Sequence, residues 1–247
     1  MANSPGIRQT VVEPLDDLAE AGVPARAPAR PAGPEAPGPD APSDDGTFLS
    51  RPSLRPPVPV LWIFDDGRKT GELIRLRRLP LVIGQTQGDI RIPHDPAISD
   101  PHVEIAWRNR VLVVRDLQSQ SGTFFRVGRL PLSAGQEMRI GSRCYHFREP
   151  GVLAMQTAAG VTRLTLVGNE VWMGRDPGPR GFRVSGDPAV DRRHARFVRD
   201  AAGQWAIHDN HSLNGVWLRR EEGQVDAVAE FFAGEQRFRL ELPHPGP

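Results

Sequence analysis

Four short motifs occur twice in this 247-residue chain, in the same order and at a nearly constant spacing. The first set is Val82-Ile83-Gly84-Gln85, Asp95-Pro96-Ala97-Ile98-Ser99-Asp100-Pro101-His102, Ser119-Gln120-Ser121-Gly122-Thr123 and Ile140-Gly141. The second is Trp172-Met173-Gly174-Arg175, Asp187-Pro188-Ala189-Val190-Asp191-Arg192-Arg193-His194, Ser212-Leu213-Asn214-Gly215-Val216 and Ala233-Gly234. Matching positions lie 90 to 93 residues apart. Such regularity marks a duplicated unit. Each copy spans about ninety residues, near the lower end for an independent core.

Both copies read as β-structure. Val103, Ile105 and Trp107 alternate with other residues, as do Trp205 and Ile207, and Phe238, Leu240 and Leu242. A period of two means half-buried strands. Turn signals recur about every eight to twelve residues, which fits a β-sandwich. Gly and Pro number 25 each, against an all-α fold. Trp62, Trp107 and Trp172 lie in apolar strand runs and are assigned to the core. Cys144 is read as inert core as well.

Thirteen prolines fall within the first sixty positions. Residues 1–57 are therefore expected to form a disordered, Pro- and Ala-rich arm, with a short helix around Leu15–Ala21. The texture changes at Val58. Val60–Phe64 reads as a buried strand closed by the turn signal Asp65-Asp66-Gly67. The expected domains are 58–149 and 152–243. Nowhere do about 18 apolar residues run together, so no membrane span is expected. The start of the chain lacks the apolar stretch of a signal peptide, and a cytoplasmic location is expected. A lone cysteine allows no internal disulfide and no Cys-rich metal pattern. A net charge of +1 argues against general nucleic-acid binding. Thirty of the thirty-one basic residues are Arg, which suggests a GC-rich, bacterial source.

The order Gly-Arg, then Ser-x-x-His, then Ser-x-Asn-Gly-Thr resembles the forkhead-associated (FHA) domain, and it is met here twice in tandem. The resemblance implies two consecutive β-sandwiches, each binding phosphothreonine peptides with loops at one end. It implies no enzyme activity, no cofactor and no metal. The physics suits that task. Phosphothreonine carries nearly two negative charges and three acceptor oxygens. A planar bidentate donor and a short hydroxyl suit the phosphate, and an amide side chain can hold the ligand backbone.

By this resemblance the ligand contacts fall on Gln85, Ser99 and Ser121 in the first copy. In the second they fall on Arg175, Asp191 with its neighbour Arg192, and Asn214. Gly84, Gly122, Gly174 and Gly215 are expected as turn residues, and His102 and His194 as loop braces. Neither copy matches the pattern fully. Gln85 replaces Arg and carries no charge; neutral hydrogen bonds contribute about 1 kcal/mol against roughly 1.5–3 for charge-assisted ones. Ser121 replaces Asn and is too short to span two backbone groups. Asp191 replaces Ser, and a carboxylate about 5 Å from a phosphate repels it by several kcal/mol at an effective dielectric of about 20. Asp191 could also pair with Arg175, while Arg192 and Arg193 would offset part of its charge. Two functions follow as expectations. One is an adaptor that binds a phosphorylated protein, such as a Ser/Thr kinase or its substrate, or the chain's own arm at Thr10 or Thr47. The other is a phosphate-independent interaction scaffold.

Overall fold

A computed structural model describes residues 57–64, 70–149, 151–158 and 160–243. The expected arm, its helix at Leu15–Ala21, Thr10, Thr47 and the turn at Asp65-Asp66-Gly67 lie outside the described residues. Every regular element among the described residues is a β-strand. The fold is all-β, and no helix long and apolar enough to cross a membrane occurs among these residues.

The first repeat supplies β1 (Val60–Phe64), β2 (Glu72–Arg75), β3 (Leu81–Gly84), β4 (Ile90–Arg91), β5 (Val103–Arg108), β6 (Val111–Asp116), β7 (Thr123–Val127), β8 (Arg129–Pro131), β9 (Gln136–Ile140) and β10 (Arg143–Glu149). The second supplies β11 (Val152–Thr157), β12 (Gly160–Thr165), β13 (Glu170–Gly174), β14 (Phe182–Arg183), β15 (Ala195–Arg199), β16 (Trp205–Asp209), β17 (Val216–Arg219), β18 (Glu222–Val225), β19 (Val228–Ala233) and β20 (Gln236–Glu241).

The strands form two sandwiches, but the repeats do not each close their own. The last three strands of each repeat complete the other. β18 pairs with β6, and β19 pairs with β7. Reciprocally, β8 pairs with β16, and β9 pairs with β17. One core collects Leu61, Ile63, Ile83, Ile105 and Val114 together with Phe231, Phe238 and Leu240. The other joins Met138, Ile140, Tyr145 and Phe147 to Met173, Phe197, Ile207, Val216 and Leu218. β7 and β17 lie side by side, antiparallel, and merge two five-stranded halves into one ten-stranded sheet. The expected boundaries, 58–149 and 152–243, therefore follow the sequence repeat and not the cores.

The connector explains the exchange. Only Pro150 and Gly151 separate β10 from β11. So short a link favours an antiparallel hairpin, and the two strands pair as one. In the first sandwich, the opening strand β1 pairs with a closing strand, β20. In the second, β11 takes β10 in that place. The closing segments of the two repeats are alike in sequence pattern, so the pattern alone does not choose between the two sandwiches.

Core assignments change accordingly. Trp107 is 49% exposed because it lies at the end of β5, beyond the strands that cover Val103 and Ile105. Trp62 and Trp172 are half-buried. The buried tryptophans are Trp205 and Trp217. Cys144 does not enter the core either. Its neighbours Tyr145 and Phe147 do, and Cys144 faces the opposite side of β10, half-buried. Burial, with Glu137 nearby, pushes its thiol above the ordinary range, which keeps it protonated and weakly nucleophilic.

Candidate binding rims

At one end of each sandwich three loops meet: the turn after β3 or β13, the longer loop before β5 or β15, and the loop before β7 or β17. A buried histidine joins the last two. The N–H of Ser99 donates to His102 Nδ1 at 3.0 Å, which leaves the ring proton on Nε2, facing the Gly122 carbonyl at 3.3 Å. Burial, opposed by that carbonyl and by Asp116 and Asp95, holds His102 below its ordinary value of 6.5. His194 repeats the arrangement, with Asp191 N–H on Nδ1 at 3.1 Å and the Gly215 carbonyl 2.9 Å from Nε2. Both glycines have φ near +76°, a left-handed conformation that other residues adopt with strain. An aspartate shapes each loop locally: Asp116 accepts from Ser119 and Thr123, and Asp209 from Ser212.

The first rim brings Gln85, Ser99 and Ser121 together, and each side chain makes one internal hydrogen bond. Gln85 Nε2 donates to the Asp95 carbonyl, and Ser121 Oγ donates to the Ala97 carbonyl. Ser99 Oγ accepts the Gln120 N–H and keeps its proton to give. Asp100 stands where the second repeat has Arg192. Its carboxylate accepts the Thr86 N–H, the Thr86 hydroxyl and the Gln87 N–H. Desolvation would raise its pKa, but these donors outweigh it and hold the group below 3.8. Gly84 ends β3 against this cap.

The second rim brings together Arg175, Asp191, Arg192 and Asn214. The expected pairing of Arg175 with Asp191 does not occur. Arg175 Nε donates instead to the Val190 carbonyl at 2.5 Å, and its side chain is exposed. Asp191 Oδ2 accepts the Leu213 N–H at 2.9 Å. It thus replaces the Ser99 hydroxyl as acceptor, but an ionised carboxylate has no proton to donate onward. Asn214 Nδ2 donates to the Ala189 carbonyl, so its Oδ1 remains available to a ligand N–H. Arg192 is exposed, and Arg193 sits over the Trp172 ring at 5.3 Å. Asp176 pairs with Arg183 at 3.4 Å; both are more than half exposed, so the pair contributes little. A shallow depression of about 480 Å³ lies among Asp176, Gly178, Asp191, Arg192, Arg193 and Asn210. Gly174 packs under the Arg192 carbonyl. Leu213, 77% exposed, stands at the loop tip.

The family model of the FHA domain matches residues 81–141 and 171–228. The chain carries two FHA domains. The chain is 48% identical over 107 residues to the E3 ubiquitin-protein ligase RNF8 of Bos taurus, a match covering 42% of this chain and 21% of that protein. The RNF8 proteins of Rattus norvegicus and Mus musculus are each 53% identical over 32 residues, which is 7% of their length. The chain thus spans between 7% and 21% of the length of these relatives. Two solved structures are similar at 15% identity. One comes from a structural and functional analysis of phosphothreonine-dependent FHA domain interactions, with a TM-score of 0.33 over 76% of this chain and 98% of that one. The other is the FhaA FHA domain complexed with the intracellular domain of Rv3910, with a TM-score of 0.31 over 74% and 99%.

Asp95, Asp187 and Asp100 were not among the residues expected to matter at the rims. The repeated Asp-Pro-Ala of Asp95 and Asp187 was the signal for the first two. Nothing in the sequence marked the hydrogen bonds of Asp100.

Proposed function

We propose that this FHA protein is an adaptor that captures phosphothreonine-bearing protein segments on its second rim. One observation carries the reading: the second rim has Arg175, Arg192 and Arg193 where the first has Gln85, Asp100 and Pro101, and its Asn214 keeps a free amide oxygen. Arg175 is placed to fork onto the phosphate, Arg192 to add charge, and Asn214 to hold the ligand backbone. Asp191 opposes the phosphate and makes the affinity low. A Ser/Thr kinase or one of its substrates is the partner class, and Thr10 and Thr47 of the chain itself belong among the threonines to be tested.

The first rim favours the second reading, a phosphate-independent contact. Its loop nearest the expected phosphate already encloses the Asp100 carboxylate. The test is titration of the full chain with a phosphothreonine peptide library, before and after phosphatase treatment. Binding that is lost on dephosphorylation and on Arg175→Ala, yet retained on Gln85→Ala, supports the proposal. Equal binding after dephosphorylation overturns it in favour of the scaffold.

A further inference from the structure

Each rim is held from behind by the opposite repeat. At the second rim, Asp187 is 3% exposed and anchors the loop before β15. One of its oxygens accepts the Ala189 N–H of that loop. The other accepts the backbone N–H and hydroxyl of Ser142, at 2.9 and 2.8 Å. Ser142 belongs to the first repeat, in the turn between β9 and β10. A Cβ on Gly141 would lie 2.5 Å from that oxygen, so the close approach needs glycine. Arg126, also of the first repeat, donates to the Ser212 carbonyl beside Asn214 at 3.1 Å. The first rim mirrors this. Asp95 accepts the Ala97 N–H of its own loop and, from the second repeat, both the Glu235 N–H at 2.7 Å and Gln236 Nε2 at 3.2 Å.

The two supporting turns also touch each other through one side chain. Arg139 Nε donates to the Gly141 carbonyl, and its Nη2 meets Glu235 at 2.7 Å. An unbroken series of contacts therefore runs from Asp187 through Ser142, Gly141, Arg139 and Glu235 to Asp95. Contiguous contacts of this kind are what can carry coupling between sites.

We propose that the rims are cross-braced, with Ser142 a positioning residue for the Arg175 and Asn214 rim, Gln236 one for the Gln85 and Ser99 rim, and Arg139 the tie between them. The inference rests on the exchanged strands. It deepens the proposed function by naming what sets the loop that presents Val190 and Asp191 to a phosphopeptide.

Amide hydrogen exchange on the full-length protein tests it without any ligand. Ser142→Ala is expected to speed exchange at residues 187–190 by about ten-fold, the scale of one charge-assisted hydrogen bond, and at 95–98 by much less. Ser142→Thr keeps the hydroxyl and is expected to restore protection. Gln236→Met is expected to give the reciprocal pattern. Arg139→Met is expected to speed both loops. If Ser142→Ala loosens 95–98 more than 187–190, or loosens neither, the cross-bracing is overturned. If Arg139→Met leaves either loop unchanged, the tie is overturned. A parallel titration with the phosphothreonine library separates the two readings. No binding by the wild-type protein rejects phosphate capture, while the exchange pattern still decides the bracing. If the library does bind, Ser142→Ala is expected to weaken it several-fold, and unchanged affinity rejects the positioning role.

Discussion

The first rim has the uncharged Gln85 and the Asp100 carboxylate where the second has Arg175 and Arg192, although Gln85 and Ser121, like Arg175 and Asn214, each donate to a carbonyl of the loop before β5 or β15. The second rim keeps an exposed Arg175 and an open Asn214 oxygen, but places Asp191 where a hydroxyl would serve. The sandwiches beneath differ too. All strands of the second lie between β8 and β17 without interruption, whereas the first is divided between β1–β7 and β18–β20. Near-identical scaffolds can thus diverge in two independent ways. One is substitution, as at Gln85 and Asp191; the other is which segment of chain supplies the closing strands.

The largest effect should come from cutting the chain. A fragment of residues 58–149 lacks Phe231, Phe238 and Leu240, which fill the first core; left with only its own β8–β10 for closure, it is expected to melt well below the full chain when followed by circular dichroism. A fragment of residues 126–219 contains every strand of the second sandwich and is expected to melt cooperatively. A monomer of 58–149 as stable as the full chain would break the structural half of the comparison.

Next in size, Asp191→Ser should strengthen phosphothreonine-peptide binding at the second rim by roughly ten-fold, since it removes a like charge and supplies a proton donor. Isothermal titration measures this, and an unchanged affinity would clear Asp191 of blame. Gln85→Arg should help the first rim less, by a few-fold, because the Asp100 carboxylate stays; an equal gain at both rims would show that Asp100 is irrelevant.

The smallest effect is on stability at low pH. His102 and Asp187 both have folded pKa values below their ordinary ones. For Asp187, burial works the other way but is outweighed by Ser142, Ala189 and Arg143. A depressed value means that the unfolded chain takes up the proton more readily. The contributions of these two groups are therefore complete above about 6.5 and erode on acidification, that of His102 first and that of Asp187 below 3.8. Thermal melts across pH 7 to 3 in wild type and His102→Gln should show the variant losing less stability between 6.5 and 5. Parallel curves would remove His102 from the account.

Much of this architecture was legible in the residues. The twofold run of glycines and histidines predicts a duplicated unit, and strand periodicity and turn chemistry, being local signals, predict sandwiches; the placing of the rim residues came from the resemblance to the FHA domain. Partner choice between strands is not local. Residues 129–149 and 222–241 carry the same pattern, and nothing in either says which sheet edge it will join. One clue was present: the Pro150-Gly151 pair between two apolar runs is a turn signal, and a turn that tight favours pairing β10 with β11. Side-chain economy was also hidden. Gln85 reads as a weakened donor, but only the fold shows one of its amide N–H groups bonded to the Asp95 carbonyl, as Arg175 is to that of Val190.

The order in which the strands leave the ribosome gives the exchange a further consequence. β8–β10 emerge long before β18–β20, while β6 and β7 are still uncovered. The nascent first repeat meets its own closing strands first and has to release them, or never accept them, before the distant ones arrive. Folding of this chain is thus a contest between an early partner and a late one, and the brief link at Pro150-Gly151 tilts it toward the late.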